Sequence, residues 1–287
     1  MRGDPRSMEL LRPQSAAAAV RMKADHPRAV PLAGGTDFMV AWNAGHLNHR
    51  TVLDLSGLDD WKRIRELSGS LWIGALATHA TIGEHPAAKR RLPLLVQACA
   101  VIGGVAIQNR GTLGGNLANA SPAGDTFPPL AVYDAIVHVV SRDGRRTLPV
   151  REFFAGVKKT RLGSGELVEA VEVPFLERRP TRRLFRKVGT RAAQALSKTV
   201  AAGLLWRGRD RRVRELRFAL GSMAPTVRRL AQVEAFVIGK RMTPEMVEEA
   251  CALLDRDVAP IDDFRSTAEY RLHVSRNLLR SFLEEGQ

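Results

Sequence analysis

Two short stretches carry residues able to hold an anionic ligand: PLAGGTDFMV at 31–40 and TLGGNLANASPAGD at 112–125. Each sets a Gly-Gly pair among short polar side chains. Glycine takes positive φ and lets the backbone come within contact distance of a ligand, because no Cβ intervenes. Successive main-chain N–H groups can then converge on an anion, and the N-terminus of a following helix adds its dipole. Thr36, Thr112, Asn116, Asn119 and Ser121 contribute neutral hydroxyl and amide groups, while Asp37 and Asp125 suit sugar hydroxyls better than phosphates. From chemistry alone two readings stand: two walls of one diphosphate site, or two unrelated turns. Other nucleotide motifs are absent. No G-x-G-x-x-G opens a βαβ unit, and Gly239-Lys240 lacks the upstream glycine of a P-loop.

Elements must position these stretches. The hydrophobic pattern predicts a helix over 15–24, a strand ending at 31–32, a glycine turn at 33–36, a short helix at 38–44 and a strand at 51–55. A strand pair follows at 64–67 and 71–75, then a helix over 93–102 with Leu94, Leu95, Ala98 and Ile102 on one stripe. Segments 135–140 and 146–150 read as a hairpin about Asp143-Gly144, and 167–173 as a strand stopped by Pro174. Beyond a basic, proline-containing link at 177–181, strands at 184–188, 200–205 and 213–220 lead into helices near 227–238, 244–254 and 267–283. The predicted boundary therefore falls near 178. It separates 1–177, itself two parts at about 1–58 and 59–177, from 178–287.

Composition bounds the class. The 287 residues are 45% hydrophobic and 26% charged, the balance of a soluble globular chain of about two domains at ~150 residues each. No apolar run approaches the roughly 18 residues of a membrane span, and the first twenty residues lack a signal-peptide core, so a cytoplasmic location is expected. Cys99 and Cys251 are too few for an iron–sulfur cluster, which normally takes about four thiolates. They read as small buried apolar groups. The net charge of +14 comes entirely from 178–229, where 16 Lys and Arg face only Asp210 and Glu215. The densest run, RGRDRRVRELR at 207–217, reads as a solvated hairpin, as a surface for an acidic protein, or as a nucleic-acid surface. Few aromatics accompany these arginines, so stacking platforms for single strands are missing.

The pairing of LAGGTD with NRGTLGGNLANASPAGD strongly resembles the flavin-binding (medium) subunit of the molybdenum hydroxylases, the family of carbon monoxide dehydrogenase, nicotinate- and isoquinoline-type hydroxylases and bacterial xanthine dehydrogenases. The likeness continues through IGALATHATI (73–82), RLPLLVQACAVIG (91–103), REFF (151–154), GELVEAVEVP (165–174) and FRKVGTRAAQAL (185–196), and so covers nearly the whole chain.

The resemblance implies an α+β fold: an N-terminal FAD-binding domain of two α/β subdomains, of the PCMH type, and a C-terminal domain combining a three-stranded sheet with a helix bundle. It implies FAD as the cofactor. One side of the pyrophosphate would lie against main-chain amides of Leu32, Ala33, Gly34, Gly35, Thr36 and Asp37, flanked by Pro31 and Phe38. The other would meet Thr112, Gly114, Gly115 and Asn116, with Ala118 and Asn119 nearby. Asp125 matches an acid that bonds FAD hydroxyls. Ile102 and Gly103 would lie beside the isoalloxazine, Lys187 would approach it from the C-terminal domain, and Val168 is a further flavin-side contact. Some relatives carry an aromatic near position 102, where this chain has Ile102. Thr78 reads as a helix cap and His79 as structural. No acid–base catalyst or metal ligand is assigned, because the flavin carries the redox chemistry. The implied partners are a large molybdopterin-binding subunit and a small subunit with two [2Fe–2S] clusters, in a dimer of heterotrimers. The alternative from another class is a non-catalytic nucleotide- or nucleic-acid-binding protein using the basic C-terminal half.

Overall fold

The computed structural model describes residues 3–284. The chain first lays down β1 (Glu9–Leu11), α1 (Ala16–Asp25), β2 (Val30–Leu32), α2 (Phe38–Asn43) and β3 (Thr51–Asp54), its strands forming a parallel sheet of order β1-β3-β2. The hydroxyl of Ser15 accepts the Ala18 N–H and so starts α1, satisfying one of the amides a helix N-terminus leaves open. α1 buries Ala19 and Val20 in a small core with Leu53, Leu55 and Trp61.

The chain continues through β4 (Ile64–Glu66) and β5 (Ser70–Gly74) into a run of short helices: α3 (His79–Glu84), α4 (Pro86–Arg91), α5 (Pro93–Val101), α6 (Val105–Arg110), α7 (Leu113–Asn119) and α8 (Phe127–Val132). It returns through β6 (Ile136–Ser141), β7 (Gly144–Pro149), α9 (Val150–Phe153), the hairpin of β8 (Phe154–Gly156) with β9 (Lys159–Thr160), and β10 (Leu167–Pro174). The resulting antiparallel sheet has the order β4-β5-β10-β6-β7. Alternate residues point to one face of a strand. Here Leu71, Ile73, Val137, Val139, Val171 and Val173 enter the main core beneath α5 and α8.

The last third begins with β11 (Arg182–Val188), β12 (Thr199–Arg207) and β13 (Val213–Gly221), an antiparallel sheet with the two-residue β14 (Arg228–Arg229) at its edge. Helices α10 (Ala231–Val237), α11 (Pro244–Leu253) and α12 (Ala268–Glu284) cover it. The near-continuous apolar run TVAAGLLWR of β12 is the pattern of a strand covered on both faces. Ala202, Leu204 and Trp206 join the core that contains α8, and Ala201 and Leu205 join the core of the three helices. The fold is thus α+β, as expected.

Two expectations change. The helix predicted over 227–238 shrinks to α10, because 228–229 pair with 219–220 and the Leu230 N–H is taken by the Phe218 carbonyl. The second Gly-Gly pair does not precede a helix but lies within one, α7, and α8 follows it. Pro128 and Pro129 of α8 occupy its first turn, where a missing N–H leaves no bond unmade.

Candidate functional site

The first glycine stretch leaves the sheet at Leu32, whose carbonyl accepts the Leu55 N–H at 2.9 Å. Gly35 then takes φ +80°, a conformation costly for any residue with a Cβ. The carbonyls of Gly35 and Asp37 accept the N–H groups of Met39 and Ala41, which starts α2. The amides of Gly34, Gly35, Thr36 and Asp37 meet no acceptor among the described residues. They form a row of donors available to an anion.

The second stretch is spent differently. Thr112 caps α7 by accepting the Gly115 N–H on Oγ1 at 3.1 Å, and its carbonyl accepts the Asn116 N–H at 2.9 Å. The Gly114 N–H goes to the Ala75 carbonyl and the Leu113 N–H to that of Ala77. The amides of Gly114, Gly115 and Asn116 are therefore engaged within the protein. What Gly114 and Gly115 supply is a wall without side chains, beside the Asn116 side chain.

The two walls touch. A Cβ at Gly34 would lie 1.8 Å from the Arg110 carbonyl oxygen, and one at Gly115 would lie 3.8 Å from the Ala33 Cβ. A cleft of about 430 Å³ runs between them, within the range of roughly 300–1,000 Å³ found for small-molecule sites. Pro31, Ala33, Gly34, Gly35, Thr36, Asp37 and Phe38 line it on one side, Thr112, Gly114, Gly115, Asn116, Ala118 and Asn119 on the other, with Ile102 and Val168 also in the lining.

Four expected residues stand outside. Leu32 lies behind the Gly35 turn. Gly103, at φ +52°, turns its carbonyl to the Gln194 N–H at 3.1 Å. Asp125 and Lys187 are both almost fully buried and form an ion pair at 2.6 Å, away from the lining. Burial pushes the Asp125 carboxyl above its ordinary range, while the charge and hydrogen bond of Lys187 and the hydrogen bond from Ser197 pull it back.

Sequence reasoning missed other lining residues, notably Ala75, Leu76, His79, Ile107 and Leu167. The signal for the first three was the IGALATHATI segment itself, which reaches the cleft because the Ala75 carbonyl binds the Gly114 amide. Thr78 caps α3 as expected, accepting the Thr81 N–H at 3.1 Å. His79 is 2% exposed, and burial lowers its pKa to about 4, so the cleft meets a neutral imidazole at pH 7. Its Nδ1 lies 3.8 Å from the Cys99 Sγ. Cys99 and Cys251 are buried free thiols, pushed by burial to about 12 and about 11. Apolar walls, a row of open amides and room for an extended ligand are what a dinucleotide with a flavin ring requires, so the residues present fit FAD.

Comparison with known proteins agrees. Residues 6–176 match the family model described as the FAD binding domain in molybdopterin dehydrogenase. Residues 184–286 match the CO dehydrogenase flavoprotein C-terminal domain. The chain is 30% identical over 271 residues to the xanthine dehydrogenase FAD-binding subunit of Escherichia coli O157:H7, covering 94% of this chain and 92% of that one. It is 27% identical over 281 residues to the glyceraldehyde dehydrogenase medium chain of Sulfolobus acidocaldarius, covering 98% and 99%. Among solved structures, the carbon monoxide dehydrogenase of Hydrogenophaga pseudoflava lacking the Mo-pyranopterin moiety of its cofactor superposes with a TM-score of 0.90 at 27% identity, covering 96% of both chains.

Proposed function

The chain belongs to the FAD-binding family of the molybdopterin dehydrogenases, and from that premise we propose that it relays electrons from [2Fe–2S] clusters of a small partner subunit to an external acceptor. A large partner would hold the molybdopterin cofactor and hydroxylate the substrate. The assembly would be a cytoplasmic dimer of heterotrimers. Among the described residues no helix is long and apolar enough to cross a membrane. We divide the chain at 178, with the FAD-binding domain before it and the C-terminal α+β domain after it.

When bound, FAD supplies exchange between one-electron carriers and a two-electron acceptor. The chain's own residues bind and orient it. Open amides of 34–37 would hold the pyrophosphate, and the bare wall of Gly114 and Gly115 would let it lie close. Asn116 and Asn119 would offer amide groups to the sugar and ribityl hydroxyls, and Ile102 and Val168 would bound the ring. Neutral His79 adds no positive charge to this wall.

The observation that carries this reading is the contact between the two glycine walls, which makes one cleft of two stretches far apart in sequence. The test is direct. The purified protein is expected to be yellow and to release FAD on denaturation. A colourless protein whose retention on DNA falls steeply with salt would instead support the nucleic-acid alternative.

A further inference from the structure

Ser197 and Arg271 line neither wall of the cleft, yet each is a polar side chain with only 1% exposure. Such groups are costly to bury unless their hydrogen bonds are made. Where they spend those bonds therefore matters.

Ser197 Oγ donates to Asp125 Oδ1 at 2.5 Å. The other oxygen of that carboxylate takes Lys187 Nζ at 2.6 Å, and the same ammonium donates to the Val101 carbonyl at 2.9 Å. Arg271, from α12, donates to the carbonyls of Lys198 and Ser222 and so holds the chain immediately after Ser197. Ser222 Oγ in turn donates to the Ser197 carbonyl at 3.2 Å, and the Ser222 N–H to the Pro122 carbonyl at 2.9 Å. Asp263 anchors the far side of the Arg271 guanidinium at 2.8 Å.

This buried chain of bonds reaches the cleft at two points. Thr126, next to Asp125, donates to Asn116 Oδ1 at 2.6 Å, and Asn116 lines the cleft. Val101, bonded by Lys187, precedes Ile102, which lines it too. We propose that Ser197, held by Arg271, is a positioning residue of the cofactor site, fixing Asn116 and Ile102 through the Asp125–Lys187 pair. The last third of the chain thereby sets the shape of a cleft built by the first two. This role rests on the FAD reading of the cleft.

The test compares Ser197→Ala and Arg271→Lys with the unaltered full chain, co-purified with any subunits that hold it. Flavin-fluorescence titration gives the FAD dissociation constant, the visible spectrum reports the ring environment, and apoprotein melting reports the fold. Losing a hydrogen bond to a charged group is expected to raise the dissociation constant of Ser197→Ala about tenfold and shift the bound-flavin band. Arg271→Lys is expected to do the same more weakly, and it carries the comparison alone should Ser197→Ala not fold. Variants that melt lower yet bind FAD with unchanged affinity and spectrum overturn the positioning role and leave the FAD reading standing. An unaltered chain that takes up no FAD overturns both.

Discussion

At the scale of single residues the cleft depends on where side chains are absent and where a charge is withheld. Gly34 faces a backbone oxygen at a distance no Cβ tolerates, so Gly34→Ala must push the two walls apart. Overpacking of this kind costs about 1–3 kcal/mol, and FAD content per chain is expected to fall sharply. Gly115→Ala meets only the Thr112 hydroxyl at 2.8 Å and the Ala33 Cβ at 3.8 Å, so it should retain more FAD; the reverse order would count against the contact between walls. His79 gives a second prediction. Its folded pKa of about 4 lies below the ordinary 6.5, so between those values the unfolded chain binds the proton that the folded one refuses. The stability this contributes is complete above pH 6.5 and is lost as pH falls toward 4, by up to ~3 kcal/mol at ~1.4 kcal/mol per pKa unit. Urea titrations at pH 7 and pH 4.5 should therefore show a smaller loss for His79→Gln than for the unaltered chain. The two glycine stretches were legible because glycine among short polar residues is a chemical signal in itself. The Asp125–Lys187 pair was not, because its partner Ser197 lies 72 residues away and only the fold brings them together.

At the scale of elements, α7 holds the second wall against its own propensities. Two glycines in seven residues are unfavourable in a helix by roughly 1 kcal/mol each. Its start is fixed from outside, by the Thr112 cap and by carbonyls of the β5–α3 turn. Thr112→Ala is expected to cost about 1 kcal/mol, to lower the melting temperature by a few degrees and to weaken FAD, whereas Thr112→Ser keeps the cap and should behave as the unaltered chain. A Thr112→Ala protein with unchanged melting would show that the cap is dispensable. The same balance explains what the sequence disclosed. The long strands and α11 and α12 announced themselves by periodicity and length. α7 and α8 did not, since their glycines and prolines punctuate a chain elsewhere and are overridden here by packing, which buries Leu113, Gly114 and Leu117 of α7 and all six residues of α8. Six buried residues in FPPLAV make α8 a hinge of the packing between sheets, a role written in tertiary contacts rather than in propensity.

At the scale of the whole molecule, the positive charge divides into a structural share and an outward one, which composition alone could not separate. Arg182 and Arg207 donate to the Phe282 and Leu283 carbonyls at the end of α12, where a helix favours cations. Arg217 and Arg229 meet Asp134 at 2.9 and 3.3 Å across the junction between α8 and the C-terminal sheet. These arginines hold the molecule together. The hairpin tip differs: Arg212 and Arg214 brace the turn through the Gly239 carbonyl and Asp210, while Arg209 and Arg211 are exposed. If the tip docks an acidic face of a partner subunit, its attraction acts over a Debye length of about 8 Å at physiological salt and is weakened by added salt. An Arg209→Glu change leaves these braces in place, so it is expected to weaken co-elution of the subunits on gel filtration while FAD content stays as it was. Unchanged assembly of this variant at low ionic strength would assign the tip to solvation and move the search for the interface elsewhere on the basic segment.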